Sequence, residues 1–209
     1  MNTINPFWED VKHLFACKDP FNRDFIDAWG QRDRCCRLYS WAVADPDSIA
    51  FVAEHLGSCA IEIGAGNGYW AWQLSQCGID IVAYDVSPPD QTPNLYFAPR
   101  EEVPNPRTLA KTWYLVQQGN ANKLTEQPDR TLLLCWPPYA DPMAAQCLKT
   151  YQGDRFVYIG EGEGGCTGDA EFFELLEKDW EEIASHGIKQ WFGLHDYIIV
   201  YQRSEEKQA

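Results

Sequence analysis

The sequence predicts an α/β fold: a doubly wound, mostly parallel seven-stranded sheet, preceded by N-terminal helices and finished by an antiparallel hairpin. Three observations carry that expectation. Residues 59–63 form a short apolar run that enters Gly64-Ala65-Gly66-Asn67-Gly68 and passes directly into a helical stretch. Glycines at a strand-to-helix turn let the backbone approach a nucleotide-type ligand closely, and the helix start offers amide donors. Nearly continuous apolar strands then alternate with helices, the pattern of a parallel sheet covered on both faces. The last two strand-like runs lie too close together for a parallel crossover, so they must pair antiparallel.

The elements follow in order. A helix is expected over 34–43, with Tyr39 and Trp41 near its end. The next opens with Asp45 as N-cap and Pro46 at the first helical position, and stops at Gly57. Ile49, Val52, Ala53 and Leu56 fall at i, i+3, i+4 and i+7, one buried stripe. Strands are expected at 59–63, 80–84, 113–117, 131–136 and 155–160, the second ending at Asp85. A helix over 69–77 is stopped by Gly78. A long amphipathic helix is read over 169–185, with Phe172, Phe173, Leu176, Trp180 and Ile183 on its apolar side. Strands 189–194 and 197–203 close the chain, joined at His195-Asp196. The rhythm breaks at 86–107, where Pro88, Pro89, Pro93, Pro99, Pro104 and Pro106 cannot sustain a helix. Such a connection reads either as a lid or substrate loop, or as a structural wrap. The chain divides into an N-terminal helical cap packed on the core (1–57), a ligand-binding domain (58–203) and a polar, flexible tail (204–209).

Composition narrows the function classes. The 209 residues suffice for one domain with a substantial core, and 9 Trp, 10 Tyr and 10 Phe belong to a packed protein rather than a disordered one. No apolar run reaches the length of a membrane span and the N-terminus lacks a signal pattern, so a soluble, cytoplasmic protein is expected. The net charge of -14 disfavours nucleic acid as partner, because phosphates require a basic stripe. Arg32, Arg34 and Arg37 read as a solvated helix face, with a local basic pocket as the alternative. The 8 Cys include no C-x-x-C pair and the 4 His show no zinc spacing, so buried, reduced thiols and no metal site are expected. Adjacent Cys35 and Cys36 are the pair that could depart from this.

The glycine spacing is G-x-G-x-G, with Tyr69 standing where a dinucleotide fingerprint would have its third glycine. With Glu62 two residues ahead, the stretch resembles motif I of the class I S-adenosylmethionine (SAM)-dependent methyltransferases, which have a Rossmann-like sheet. The resemblance covers about 58–203. It implies SAM as cofactor, held by Glu62, Gly64, Ala65, Gly66, Gly68, Asp85, Val86, Asn120, Ala121 and Cys135. Asp85, at the end of the second strand, would receive the ribose hydroxyls. Gln118-Gly119-Asn120-Ala121 is similar to the family's adenine-edge motif, with Asn120 replacing the usual Asp. Cys135-Trp136-Pro137-Pro138-Tyr139 is similar to the [DNS]-P-P-[YFW] signature of amino-methyltransferases. Trp136 occupies the position of the hydrogen-bond acceptor, and an indole can only donate. The resemblance makes Trp136, Pro137, Pro138 and Tyr139 the acceptor pocket.

Methyl transfer from a sulfonium needs alignment, exclusion of water and, for some acceptors, removal of a proton. Candidate bases are His195, with Asp196, in the last hairpin, and Glu161, with Glu163, after the fifth strand. The expected activity is methyl transfer to a small-molecule acceptor. Three alternatives stay open: an amino-methyltransferase on protein or nucleic acid, a nicotinamide-dependent oxidoreductase, and a non-catalytic SAM-binding module.

Overall fold

A computed structural model describes residues 4–16, 24–94, 96–97 and 109–204. Its centre is one seven-stranded sheet, order β3-β2-β1-β4-β5-β7-β6. The strands are β1 (Cys59–Ile63), β2 (Asp80–Asp85), β3 (Val116–Gln118), β4 (Thr131–Cys135), β5 (Arg155–Gly160), β6 (Trp180–His186) and β7 (Tyr197–Arg203). β1 to β5 run parallel, while β7 pairs antiparallel with both β5 and β6. The chain therefore reverses its strand order beside β1, and the crevice outside the carboxyl ends of β1 and β4 lies at that switch point.

Helices cover both faces. On one lie α1 (Pro6–Ala16), α2 (Asp24–Leu38), α3 (Pro46–Leu56) and α4 (Tyr69–Gln76); on the other lie α5 (Lys123–Glu126), α6 (Met143–Thr150) and α7 (Ala170–Asp179). Successive strand residues point to opposite faces, so each central strand feeds two cores. Leu133 and Val157 pack with Val11, Val52 and Leu74, whereas Leu132, Leu134 and Phe156 pack with Leu148 and Leu176. That is why β4 and β5 are apolar almost throughout. Phe7 and Val11 of α1 share a core with Ala60 and Ile81 of the sheet, so the residues before and after position 57 are joined by continuous packing.

The cap of α3 is the one its sequence indicates. Asp45 accepts from the amides of Asp47 and Ser48, and Gly57 closes the helix at a φ of 72°. Elsewhere the structure corrects the expectations. α2 ends at Leu38, so Tyr39 and Trp41 lie beyond it in a turn. The third strand begins at Val116. Trp113 precedes it and packs among Tyr39, Tyr69 and Trp72 instead of pairing in the sheet.

The expected long helix over 169–185 splits. At Trp180 the backbone becomes extended, and 180–186 forms the edge strand β6. Trp180 and Ile183 are in phase with the helical stripe of Phe172 and Leu176, which is what made the helix look longer. Pairing wins because the outer side of β7 would otherwise hold a row of unpaired peptide groups. Ile183 lies at the register shift between Glu182 and Ala184 and is 49% exposed, as no apolar helix face would leave it. Trp180 stays buried, with the Arg203 guanidinium 4.3 Å from its ring centre. The expected strand at 189–194 is instead part of the connection between β6 and β7, anchored by buried Ile188 and Trp191. No helix among the described residues is long and apolar enough to cross a membrane.

Candidate functional site

The turn from β1 to α4 is tied to the end of β2. The amides of Gly64 and Ala65 both donate to the Tyr84 carbonyl, at 2.8 and 3.0 Å. Gly64, Gly66 and Gly68 all have left-handed φ values (76°, 56° and 76°), which explains glycine at alternate positions. Space adds a second constraint: a Cβ at Gly68 would stand 2.9 Å from Val116 Cγ2, and one at Gly66 would stand 2.3 Å from the Phe97 ring. Asp85 completes the knot. Its Oδ2 accepts from the Gly66 amide and its Oδ1 from the Ser87 amide, both at 2.8 Å. Burial holds its pKa above the ordinary aspartate value, against the pull of those two donors.

A cavity of about 850 Å³ opens where β1, β2, β3 and β4 end. Ligand pockets typically span roughly 300–1,000 Å³, so this one has room for two small molecules. Glu62, Gly64, Ala65, Asp85, Val86, Asn120, Ala121 and Cys135 line it, as do Trp136, Pro138 and Tyr139. Glu62 is buried, and its Oε2 has no hydrogen-bond partner among the described residues. Burial pushes its pKa up to about 8, opposed by donation from the Ala71 amide and assisted by the charge of Asp85. The Asn120 carboxamide oxygen accepts from the Asn122 amide at 3.0 Å, which leaves the amide nitrogen as its outward group. Burial raises the Cys135 thiol well above its usual range, so this cysteine is no nucleophile at neutral pH. Cys35 and Cys36 are free thiols, pushed up by burial to about 11 and about 12. Cys17 lies outside the described residues.

The remaining wall is aromatic and comes from unexpected places. Trp136 stacks on Trp41 (ring centres 5.3 Å apart, planes at 27°), and Tyr96 meets Trp41 edge-on at 6.0 Å. The Trp136 indole N–H donates to Asp196 Oδ1 at 3.0 Å, so its polar edge points away from the cavity. Trp136 also has a φ of 52°, a strained value for a large side chain that a packed surrounding must hold. Asp196 is fully buried behind it. Arg32 of α2 lines the cavity with its guanidinium 5.5 Å from the Trp41 ring centre, whereas Arg37 pairs with Asp33 on the helix surface. Of the three arginines, Arg32 reaches the cavity, Arg34 is exposed and Arg37 is half-buried beside Asp33. Of the 86–107 segment, Val86, Ser87, Pro93, Asn94, Tyr96 and Phe97 reach the cavity; Pro99, Pro104 and Pro106 lie outside the described residues.

Some expected site residues are not brought to the cavity. Gly66 is screened by Phe97, and Gly68 is packed under Tyr114 and Val116. Pro137 is buried outside the lining, its carbonyl accepting from the Gly168 amide. The two catalytic candidates have structural positions. Glu161 is buried, and its oxygens accept from the amides of Cys166 and His195, both at 2.7 Å. Burial acts to raise its pKa, but those donations outweigh it and hold the carboxyl below its ordinary value. The His195 side chain is 77% exposed, with Nδ1 3.7 Å from Glu161. Neither lines the cavity: Glu161 pins the loop on which His195 sits.

No protein-family model matches the sequence, and no curated protein matches it. Solved structures do. The chain is similar to magnesium protoporphyrin IX methyltransferase from Synechocystis PCC 6803 with bound SAM. The identity is 14%, covering 98% of this chain and 100% of that one, with a TM-score of 0.50. It is similar in the same degree to Burkholderia thailandensis 1,6-didemethyltoxoflavin-N1-methyltransferase, whose structure holds 1,6-didemethyltoxoflavin and S-adenosylhomocysteine (SAH). Here the identity is 18%, covering 87% of this chain and 86% of that one, with a TM-score of 0.50. At such identities the likeness concerns architecture, and the strand order agrees with it: this chain has the Rossmann-like methyltransferase fold with a C-terminal antiparallel hairpin.

Proposed function

We propose that the protein is a SAM-dependent methyltransferase acting on a small molecule. One observation carries the reading: the ends of β1 and β2 and the turn after β3 deliver Glu62, Asp85 and Asn120 to the wall of a single cavity. The buried, unpartnered oxygen of Glu62 suits an ammonium group, each Asp85 oxygen keeps a lone pair for a ribose hydroxyl, and the Asn120 amide nitrogen can donate to an adenine ring nitrogen. A dinucleotide suits the turn poorly. The amides of Gly64, Ala65, Gly66, Gly68 and Tyr69 are all engaged within the protein, which leaves few donors for a pyrophosphate.

SAM, when bound, supplies an electrophilic methyl group on a sulfonium. The protein's contribution is to hold the two molecules in line and keep water out. The aromatic wall of Trp41, Tyr96 and Trp136 does the second and shapes the acceptor's place. A small acceptor suits a cavity of this size, and the net charge of -14 opposes a nucleic acid. The similar Burkholderia thailandensis structure likewise holds a small molecule, 1,6-didemethyltoxoflavin.

Thermal unfolding with SAM, SAH, NAD and NADP tests the reading. A ligand at a hundredfold over its dissociation constant adds about 2.7 kcal/mol of stability. SAM and SAH are expected to stabilise wild type, with the effect lost in Asp85→Ala. Stabilisation by a nicotinamide nucleotide instead would overturn the proposal.

A further inference from the structure

The connection after β2 folds back onto the residues it leaves. The Ser87 amide donates to Asp85 Oδ1, the Asn94 side-chain amide donates to the Ser87 carbonyl at 2.8 Å, and the Tyr96 amide donates to Asn94 Oδ1 at 3.0 Å. The next side chain, Phe97, sets its ring against Gly66, whose own amide donates to Asp85 Oδ2. The contacts thus form a closed circuit that begins and ends at the Asp85 carboxylate, with the Phe97 ring as its last link. That ring is half-buried and belongs to neither hydrophobic core among the described residues. A side chain so placed can change rotamer without opening either core.

The ring and a ligand compete for the same face of the turn. Glu62 lies at the start of the turn and Asp85 is bonded to its middle glycine, so a molecule spanning the two carboxylates lies along 64–66. A ligand atom touching both Gly66 and the Phe97 ring would need about 7 Å between them, twice an ordinary carbon–carbon contact. The ring instead lies directly on the glycine.

We infer that Phe97 is a self-inhibitory plug: its ring covers the face of Gly66 that a ribose on Asp85 needs, and ligand binds the fraction of molecules in which the ring has swung away. The inference rests on the cofactor reading above. The apparent dissociation constant is then the intrinsic one divided by that open fraction, so removing the ring tightens binding. A lid that closes over bound ligand would behave in the opposite way, because its removal forfeits contacts.

Calorimetric titration of SAH and of adenosine into wild type, Phe97→Ala and Phe97→Trp tests the inference, with association and dissociation rates for SAH as a second readout. Phe97→Ala should bind both ligands at least fivefold more tightly than wild type, and Phe97→Trp should bind them more weakly. The gain should lie in the association rate, with dissociation unchanged. Unchanged or weaker SAH binding by Phe97→Ala, or faster dissociation from it, would sink this inference alone. A gain for SAH without one for adenosine would also overturn it, because the ring would then cover the amino-acid end of the ligand. Binding of neither ligand by any of the three proteins would sink the methyltransferase reading, and the plug with it.

Discussion

Asp196→Asn should make the protein more stable at alkaline pH and remove a pH dependence that wild type carries. Asp196 is fully buried, and burial pushes its pKa up to about 7, against the Trp136 donation and the Arg32 charge and with the help of Glu161. An unfolded aspartate titrates near 3.9. Between those values the native state keeps a proton that the unfolded chain has released, so stability falls as pH rises through that window and levels off above about 7. A gap of about 3 pKa units at about 1.4 kcal/mol each gives a loss of about 4 kcal/mol between pH 4 and 8. Asparagine never ionises, yet its carboxamide oxygen can still accept from the Trp136 indole. Its amide hydrogens lack partners where Asp196 Oδ2 already has none among the described residues, a pH-independent cost of about 1–3 kcal/mol. Urea unfolding at pH 4.5, 6, 7 and 8 separates the two terms. Across pH 4.5–8 the difference between variant and wild type should rise by about 3 kcal/mol and then level off, equivalent to a relative Tm shift of roughly 6–12 °C. The other raised carboxyl, Glu62, cancels in that difference. A difference that stays flat, or falls, with pH would refute the argument.

Three further substitutions probe the site. Gly66→Ala forces a Cβ onto a φ of 56° and into the Phe97 ring; a loss of about 2 kcal/mol in chemical unfolding and of SAH binding in titration is expected. Glu161→Gln removes one of two charge-assisted bonds to the amides of Cys166 and His195, costing about 1–3 kcal/mol. Because the Glu161 carboxyl is held below its ordinary value, that gap should close as pH falls through the folded pKa. Turnover by Glu161→Gln should stay within about tenfold of wild type, whereas losing a general base costs roughly 10²–10⁴-fold. Trp136→Phe takes away the hydrogen bond to Asp196, so its destabilisation should exceed about 1 kcal/mol and grow with pH, as unfolding across pH 5–8 would reveal.

What could be read from the sequence was local. The cap at Asp45, the stop at Gly57 and the three alternating glycines each encode backbone geometry at their own position, and the structure bears them out at φ values only glycine adopts easily. The central strands were legible because burial on both faces leaves an unbroken apolar run. At the edges the reading fails, since an edge strand has one neighbour and little apolar demand: β3 was expected three residues too early and keeps three residues, and β6 hides behind a helical phase shared by Leu176 and Trp180. The site followed the same division. Glu62, Asp85 and Asn120 sit where strand ends put them, while Arg32, Trp41 and Phe97 arrive through tertiary packing of α2 and of a proline-broken connection. The prolines mark the connection that carries Phe97 as a possible substrate loop and the arginine cluster allows a pocket at Arg32, but nothing near Trp41 signals its destination. His195 and Glu161 showed the converse: right residue types near the right sheet edge, but bonded to each other's loop.

A crystal structure determined with SAH should show density in the cavity with ribose hydroxyls on Asp85, the adenine beside Asn120 and the ammonium on Glu62, and the Trp41–Trp136 wall left open beside it. Density on another surface, or none at a saturating concentration, would contradict SAM binding at this cavity.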